Sequence, residues 1–240
     1  MRTCSVQNPI GETITAQWGA MGDGVTAVIE MARTSGLALL SLDERDPLNS
    51  STFGLGQAIL EALNQGFRKF IVGIGGSATN DAGAGMAQAL GATLLNAEGK
   101  SIPFGGAALA DLRSIDISKM DTRIENSQFM VACDVSNPLT GDEGASAVYG
   151  PQKGATPEMV AQLDKALLNF AEIVKKDIGK NVSEISGAGA AGGLGAGMLA
   201  FMGAELKAGV DIVMETVQLR EKLSGAVSYT HLPLPTNREV

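Results

Sequence analysis

Two short apolar runs, each followed at once by a loop rich in glycine and polar residues, constrain the fold of this chain most strongly. Residues 70–72 lead into the loop 73–81, and residues 129–132 lead into a loop that begins at Cys133. Apolar runs of this length, bounded by turn residues, are typical of buried strands in a parallel sheet. A helical pattern over residues 86–90 follows the first loop. This strand–loop–helix alternation predicts an α/β architecture.

The beginning of the chain has a different pattern. Residues 12–18 alternate between apolar and polar side chains, which predicts a half-buried strand. Asp23-Gly24 is a signal for a type I′ turn, and residues 26–29 have the composition of a returning strand. The predicted α/β fold therefore starts with an antiparallel N-terminal hairpin.

Further elements follow from periodicity and capping signals. Residues 55–65 place their apolar side chains on one helical face and are followed by a glycine. Thr156-Pro157 is a helix start, and apolar residues recur at helical spacing as far as residue 174. Residues 187–197 are rich in glycine and alanine and predict a short helix, and residues 210–214 predict a last strand.

Composition excludes several classes of function. Hydrophobic residues make up 45% of the 240, which predicts a sizeable core. A net charge of −8 and an aromatic content of 4% argue against a nucleic-acid partner. The single histidine, His231, leaves little room for histidine-based catalysis, and the two cysteines fit a reducing cytosol. The sequence has no apolar run of the roughly 20 residues that a membrane span needs, so no membrane partner is expected.

The loop 73–81 reads Gly-Ile-Gly-Gly-Ser-Ala-Thr-Asn-Asp and has more than one interpretation. Its glycines allow backbone N–H groups to approach an anion such as phosphate. Residues 73–78 also fit the G-x-G-x-x-A pattern of dinucleotide-binding proteins, with Glu98 at a plausible distance for a ribose contact. A nicotinamide- or nucleotide-binding module that is not a kinase is therefore an alternative function. A tight turn with no ligand is the third interpretation.

Two later groups of residues also carry chemistry. Asp134 and Asn137 follow a buried strand, where an aspartate can bind Mg²⁺ or act as a base, although both residue types also occur in ordinary turns. Lys153 stands between Pro151 and Gly154 and can bind a phosphate, or can be an ordinary surface lysine. The sequence lacks a G-x-x-x-x-G-K-[ST] motif and is therefore not that of a P-loop NTPase.

Four motifs in order make the chain recognisable. They are residues 29–37, residues 73–81, the run Ala-Cys-Asp-Val with Asn-Pro-Leu over residues 132–139, and residues 150–155. Together they resemble the type I bacterial glycerate kinase family, and the resemblance runs from about residue 4 to about residue 227. It implies a two-part α/β fold with the active site in a cleft between the parts.

The resemblance also implies a reaction and a set of site residues. The reaction is ATP-dependent phosphorylation of D-glycerate, mainly to 2-phosphoglycerate, with Mg²⁺ and in the cytoplasm. Asp134 is expected as Mg²⁺ ligand or as base, Asp81 as a second metal ligand beside the phosphates, and Lys153 as a ligand of phosphate or carboxylate. Binding roles are expected for loop residues and two residues upstream: Gly75, Gly76, Ser77, Asn80, Asn137, Ser35 and Arg45.

The chain also departs from the family pattern. Motifs expected before Met1 and after residue 227 are not present, and Ala82 stands where a glycine is usual. Residues 1–227 are therefore expected to be a partial glycerate kinase region with little or no activity alone. Residues 228–240 resemble translated cloning-adapter sequence and are expected to be non-native or disordered. The sequence makes no prediction of oligomeric state.

Overall fold

A computed structural model describes residues 1–224 of the chain. The predicted tail 228–240 lies outside the described residues, and the division at residue 227 stays a prediction. The strands are β1 (Arg2–Gln7), β2 (Thr13–Ala20), β3 (Thr26–Glu30), β4 (Lys69–Gly73), β5 (Thr93–Leu95), β6 (Ser114–Asp116), β7 (Gln128–Ala132) and β8 (Glu205–Lys207). The α-helices are α1 (Ala32–Ser35), α2 (Phe53–Asn64), α3 (Ala84–Ala89), α4 (Ala145–Tyr149), α5 (Pro157–Asp177), α6 (Ala190–Met202), α7 (Gly209–Thr216) and α8 (Leu219–Leu223).

The main sheet has the strand order β1-β2-β3-β4-β7-β8. β1, β2 and β3 pair antiparallel, whereas β3, β4, β7 and β8 run parallel. β5 and β6 form a separate antiparallel pair. The predicted α/β architecture with an antiparallel beginning is thus confirmed. Because β4 and β7 are parallel neighbours, the two loops that follow them lie side by side at the carboxyl ends of these strands.

The connection between β2 and β3 is not the type I′ turn that the sequence predicts. Such a turn needs a positive φ at both central residues, and only Gly24 has one, at 72°. The Asp23 carboxylate instead accepts hydrogen bonds from the N–H groups of Val25 at 3.0 Å and Thr26 at 2.9 Å. These side-chain-to-backbone bonds stabilise a longer loop in place of the tight turn.

The prediction of a last strand over residues 210–214 is wrong, because these residues lie in the helix α7. A segment of five mostly apolar residues is too short to be assigned by periodicity alone. The carboxylate of Asp134 accepts a hydrogen bond from the Gly209 N–H at 2.8 Å, at the first residue of α7. A negative charge there stabilises the helix. The strand that completes the sheet edge is β8, which the sequence analysis missed.

The core lies between the sheet and the helices that cover one of its faces. The helix predicted over residues 55–65 is confirmed as α2, and Gly66 follows it with a left-handed φ of 92°. The rings of Phe70 and Phe129 stack across β4 and β7 with their centroids 4.6 Å apart. The predicted cap of α5 is confirmed, since the Thr156 hydroxyl accepts a hydrogen bond from the Met159 N–H at 3.3 Å.

The opposite face of the parallel strands is less completely covered. Ile71 and Met130 are only half-buried there, and with Lys69 and Glu205 they line an open depression of about 590 Å³. This depression lies toward the amino ends of β4 and β7. Ligands of open α/β sheets bind at the carboxyl ends of the strands, which lie at the opposite end of the sheet from this depression. Within residues 1–224, no helix is both long and apolar enough to span a membrane.

Close approach of α2 to α3 leads to the first prediction, on Gly56. A Cβ atom there would lie 2.5 Å from the Met86 carbonyl oxygen and 2.6 Å from the Ala89 Cβ. Gly56→Ala should therefore destabilise the fold by about 1–3 kcal/mol, although the same change in an open helix stabilises it. Urea unfolding measures the difference. Gly22→Ala is the matched control, since nothing lies within 4 Å of its Cβ position; a Gly56→Ala chain as stable as the unmodified chain would contradict the prediction.

Candidate active site

A cavity of about 210 Å³ lies at the carboxyl ends of β4 and β7. Open α/β sheets bind their ligands at the carboxyl ends of their strands. The cavity is lined by both loops that follow the two strands, by the end of α4 and by the start of α6: Ile74, Gly75, Gly76, Ser77, Ala132, Cys133, Asp134, Val135, Tyr149, Gln152, Ala190 and Ala191. Four of the residues predicted from the sequence are therefore brought together, namely Gly75, Gly76, Ser77 and Asp134.

The glycine loop is held by its backbone. The Leu37 N–H donates to the Gly76 carbonyl at 2.9 Å, and the Ala78 N–H donates to the Ser35 carbonyl at 3.0 Å. Gly76 has a left-handed φ of 73°, which glycine adopts without strain. Among the described residues, the N–H groups at positions 75–77 have no backbone acceptor. All three residues line the cavity, and N–H groups that have no acceptor within the protein can bind an anion.

Ser35 does not reach the cavity. Its side chain is completely buried, and its hydroxyl lies 3.5 Å from that of Thr34. The predicted substrate contact is replaced by a structural role, since the Ser35 carbonyl anchors the glycine loop. The sequence motif located the right segment but could not show which atoms of it face the ligand.

Asp134 is exposed at the cavity wall. Its Oδ1 accepts the hydrogen bond from the start of α7, and Oδ2 receives none from the described residues. One carboxylate oxygen thus fixes the side chain while the other remains available. Cys133 lines the same wall, and burial raises the pKa of its thiol, which therefore stays protonated at neutral pH.

Asn137 lies behind the cavity wall, where it orients a residue that the sequence analysis missed. The Tyr149 hydroxyl donates to Asn137 Oδ1 at 2.6 Å, and Asn137 Nδ2 donates to the Glu143 carbonyl at 2.8 Å. Tyr149 and Gln152 both line the cavity. Both stand in or beside the motif that ends with residue 155, so the motif pointed to their segment without distinguishing them from their neighbours.

Asp81 is completely buried and does not line the cavity. Its Oδ2 accepts hydrogen bonds from the N–H and hydroxyl groups of Thr52 at 2.8 and 2.9 Å and from the Gly85 N–H at 3.2 Å. Its Oδ1 accepts another from the Gly83 N–H at 3.2 Å. Burial raises the pKa of Asp81, against the opposing effect of these donors. The predicted contact with Mg²⁺ does not fit this geometry, because the carboxylate is already surrounded by protein donors.

Lys153 is also buried, with 1% of its surface exposed. Its Nζ donates to the Thr79 carbonyl at 2.6 Å. Burial lowers the pKa of Lys153 to about 7, and the negative charge of Asp81 acts in the opposite direction. The interpretation of Lys153 as an ordinary surface lysine is therefore wrong. Nothing places its ammonium group at the cavity wall, so it holds the loop rather than facing a ligand.

The remaining two predicted residues, Asn80 and Arg45, also lie outside the cavity. Asn80 is fully buried and donates from Nδ2 to the Ser146 hydroxyl at 3.0 Å. Arg45 reaches the Lys153 loop from outside, with Nη1 3.4 Å from the Gln152 carbonyl. Asn80 thus connects the glycine loop to α4, and Arg45 contacts the loop at residues 150–155. Neither residue lines the cavity.

The dinucleotide interpretation of residues 73–78 does not agree with the local backbone. A pyrophosphate-binding turn leads directly into a helix whose N–H groups face the phosphates. Here α3 begins only at Ala84, and the buried Asp81 accepts the N–H groups of Gly83 and Gly85 at its start. Ala82 has a left-handed φ of 51°, which explains why a glycine suits that position.

The geometry also limits how a metal ion is held. Within the part of the chain that the structure describes, no group of three or more acidic, histidine or cysteine side chains converges. Mg²⁺ commonly takes one or two carboxylates together with waters and substrate phosphates. Asp134 alone at the cavity wall fits that mode of binding.

Comparison with known proteins gives one consistent family. The family model described as the glycerate kinase family matches residues 1–228. The chain is 52% identical over 218 residues to a glycerate 2-kinase of Escherichia coli K12, covering 91% of this chain and 57% of that protein. It is 52% identical over 221 residues to a glycerate kinase of Bacillus subtilis 168, covering 92% and 58%.

A solved structure supports the same relationship. The crystal structure of a protein provisionally named glycerate kinase 2, from Salmonella typhimurium LT2, matches with a TM-score of 0.92 and 49% identity. The match covers 94% of this chain and 60% of that one. The chain thus spans slightly less than three fifths of the length of the curated relatives it matches. The expectation that it is a fragment is not confirmed by the family match, which covers nearly all of it.

The order of the motifs, the α/β fold and these matches agree with the resemblance seen in the sequence, and the chain belongs to the glycerate kinase family.

Proposed function

We propose that this chain carries the substrate-binding cavity of an ATP-dependent glycerate kinase that converts D-glycerate to 2-phosphoglycerate. The observation that carries the proposal is the cavity at the ends of β4 and β7. Residues 75–77, whose backbone N–H groups have no backbone acceptor among the described residues, and Asp134 line it together. Anion donors beside a metal-binding carboxylate are the combination that phosphoryl transfer to a small acid requires.

The size of the cavity favours the small acid over the nucleotide. Cavities for drug-sized ligands usually have roughly 300–1,000 Å³, whereas this one has about 210 Å³. A three-carbon acid fits such a volume, and the adenosine part of a nucleotide does not. We therefore assign the cavity to D-glycerate and to the phosphoryl group that it receives.

Each wall of the cavity has its own role. The N–H groups at residues 75–77 bind an anionic oxygen of carboxylate or phosphate. Asp134 would hold Mg²⁺, since its Oδ1 accepts the hydrogen bond from the start of α7 and its Oδ2 accepts none from the described residues. When bound, Mg·ATP supplies the phosphoryl group and offsets its negative charge. The protein's own contribution is positioning, since it fixes both walls before the substrates arrive.

We assign Asp81, Asn80 and Lys153 to positioning rather than to direct contact. All three are buried, and Lys153 holds the Thr79 carbonyl, two residues after Ser77. A shift of this loop would move the N–H donors away from the anion. We also place the reaction in the cytoplasm, because ATP and the unpaired thiols of Cys4 and Cys133 fit a reducing compartment.

Ligand-induced stabilisation tests the function. Mg·ATP and D-glycerate should each raise the unfolding temperature of the chain, because a ligand that binds only the folded state stabilises it. NAD and NADP should have no effect. Stabilisation by NAD or NADP alone would favour the dinucleotide alternative and overturn the proposal. A coupled assay that distinguishes 2-phosphoglycerate from 3-phosphoglycerate identifies the product.

Asp134→Asn tests the metal-binding wall. Asparagine keeps the shape of the side chain and still accepts the hydrogen bond from Gly209, so only the charge is removed. The affinity for Mg·ATP should fall by about 10- to 100-fold, because contacts to a charged group contribute roughly 1.5–3 kcal/mol. Calorimetric titration measures the affinity. Raising the Mg²⁺ concentration should restore part of the binding, which a role as base alone would not predict.

Asp111→Asn is the control for this experiment. Asp111 is exposed at the end of a short 3-10 helix and does not line the cavity, so its loss removes the same charge from a distant surface. It should leave the Mg·ATP affinity unchanged. Equal affinities of the Asp134→Asn and unmodified chains would contradict the assigned role.

Lys153→Met tests the buried ammonium group through pH. The pKa of Lys153 is lowered in the folded chain from 10.5 to about 7. Between these two pH values the unfolded chain binds more protons, so the contribution of Lys153 to stability rises with pH. The unmodified chain should therefore gain stability relative to Lys153→Met between about pH 7 and pH 9.5, by at most about 1.4 kcal/mol per pH unit.

Urea unfolding at a series of pH values provides the measurement. Lys175→Met is the matched control, since Lys175 is exposed on α5. Its free energy of unfolding should follow that of the unmodified chain in parallel across the same range. Parallel curves for Lys153→Met as well would show that the ammonium group is not buried as described.

A further inference from the structure

We propose that Tyr149 determines specificity by accepting a hydrogen bond from a hydroxyl group of the acid substrate. The inference rests on the proposed function and deepens it. Its basis is a juxtaposition: Tyr149 lines the same cavity as Asp134, and a chain of hydrogen bonds outside the cavity engages its only proton.

The direction of that chain is fixed by a backbone carbonyl. The Glu143 carbonyl oxygen can only accept, so the Asn137 atom that faces it at 2.8 Å must be the Nδ2 donor. The other amide atom, Oδ1, therefore faces Tyr149. Because Oδ1 can only accept, the 2.6 Å contact requires the Tyr149 hydroxyl to donate.

A phenol that donates its proton to Asn137 keeps only acceptor capacity for a second partner. Burial raises the pKa of Tyr149, which keeps the phenol protonated and the arrangement intact at neutral pH. The wall at Tyr149 therefore suits a hydrogen-bond donor. A hydroxyl group can donate, whereas the oxygens of a carboxylate and the deprotonated oxygens of a phosphate can only accept.

The cavity thus has two chemically different walls. Residues 75–77, whose backbone N–H groups have no backbone acceptor among the described residues, supply donors, and Tyr149, whose hydroxyl proton is engaged by Asn137, supplies an acceptor; all four residues line the cavity. A ligand with an anionic group and a hydroxyl group matches both, and a plain carboxylic acid matches only the first. A site that hydrogen-bonds a substrate hydroxyl discriminates against the analogue without it, because its own polar group is then left unpaired.

A purely structural role is the competing explanation. Tyr149 also connects α4 to the loop that contains Asn137 and Glu143. Loss of that connection would lower stability and weaken all ligands alike. It would not change the relative affinity for acids that differ in one hydroxyl group, and this difference separates the two roles.

The experiment is calorimetric titration of the full chain with three acids. D-Glycerate has both hydroxyl groups, D-lactate lacks the one at carbon 3, and 3-hydroxypropionate lacks the one at carbon 2. In the unmodified chain, D-glycerate should bind more tightly than at least one of the other two. Tyr149→Phe should weaken D-glycerate binding by about 2- to 10-fold and leave that analogue unchanged, so that the preference disappears.

Two further variants keep the result interpretable. Val148→Thr changes the neighbouring exposed residue of α4 and should keep the full preference. Asn137→Ala frees the Tyr149 proton to turn toward the cavity, so it should reduce the preference while inorganic phosphate binds more tightly. Unfolding temperatures of all variants show whether each one folds.

The outcomes distinguish the two levels of the proposal. If the unmodified chain binds no D-glycerate, the proposed function fails and this inference fails with it. If the chain binds D-glycerate and both Tyr149→Phe and Asn137→Ala keep the preference, the inference alone is overturned. Loss of the preference in both variants, with Val148→Thr unchanged, supports it.

Discussion

The buried carboxylate of Asp81 is the interaction on which the candidate site depends. Four hydrogen bonds reach it, from Thr52 at the start of α2 and from Gly83 and Gly85 at the start of α3. An isolated buried charge would be very costly, and these donors with the nearby Lys153 offset that cost. Two helix starts and the end of the glycine loop are thereby fixed to one side chain.

The buried residues around Asp81 also contact the segments that line the cavity. Lys153 holds the Thr79 carbonyl and belongs to the loop that carries Gln152, which lines the cavity. The backbone of α6 closes over the other side, where a Cβ at Gly192 would overlap the Thr79 carbonyl oxygen. The left-handed conformations of Ala82 and Ala191 are costly for alanine and persist because the surrounding backbone determines them. Such strain is common where a site needs a fixed shape.

The sequence predicted the fold well where local signals were strong. The buried strands β4 and β7, the helix α2 and the Thr156 cap of α5 all follow from patterns within a few residues. The run at residues 210–214 was misassigned because it is too short for periodicity to decide, and one contact that favours its helix comes from Asp134, more than seventy residues earlier in the chain. Long-range contacts of this kind leave no trace in local periodicity.

The same distinction separates the predicted site residues. Motif spacing placed Asp134 and the glycines at 75 and 76 at the cavity because position along a strand end is a local property. It could not show that Asp81 and Lys153 point into the core, since burial depends on how the two loops pack together. It also missed Tyr149, whose significance arises only from the direction of the hydrogen bonds through Asn137.

Within this arrangement, charged and neutral groups have different tasks. The charges of Asp81 and Lys153 are enclosed, where weak screening makes them effective at fixing backbone. Among the residues that line the cavity, Asp134 has the single carboxylate, and the other polar side chains are those of Ser77, Cys133, Tyr149 and Gln152. With a single charged side chain at the cavity, electrostatic attraction alone does not select a ligand. Recognition then depends on matching donors with acceptors, and for the small hydroxy acid that we propose as substrate that match is the main source of discrimination available.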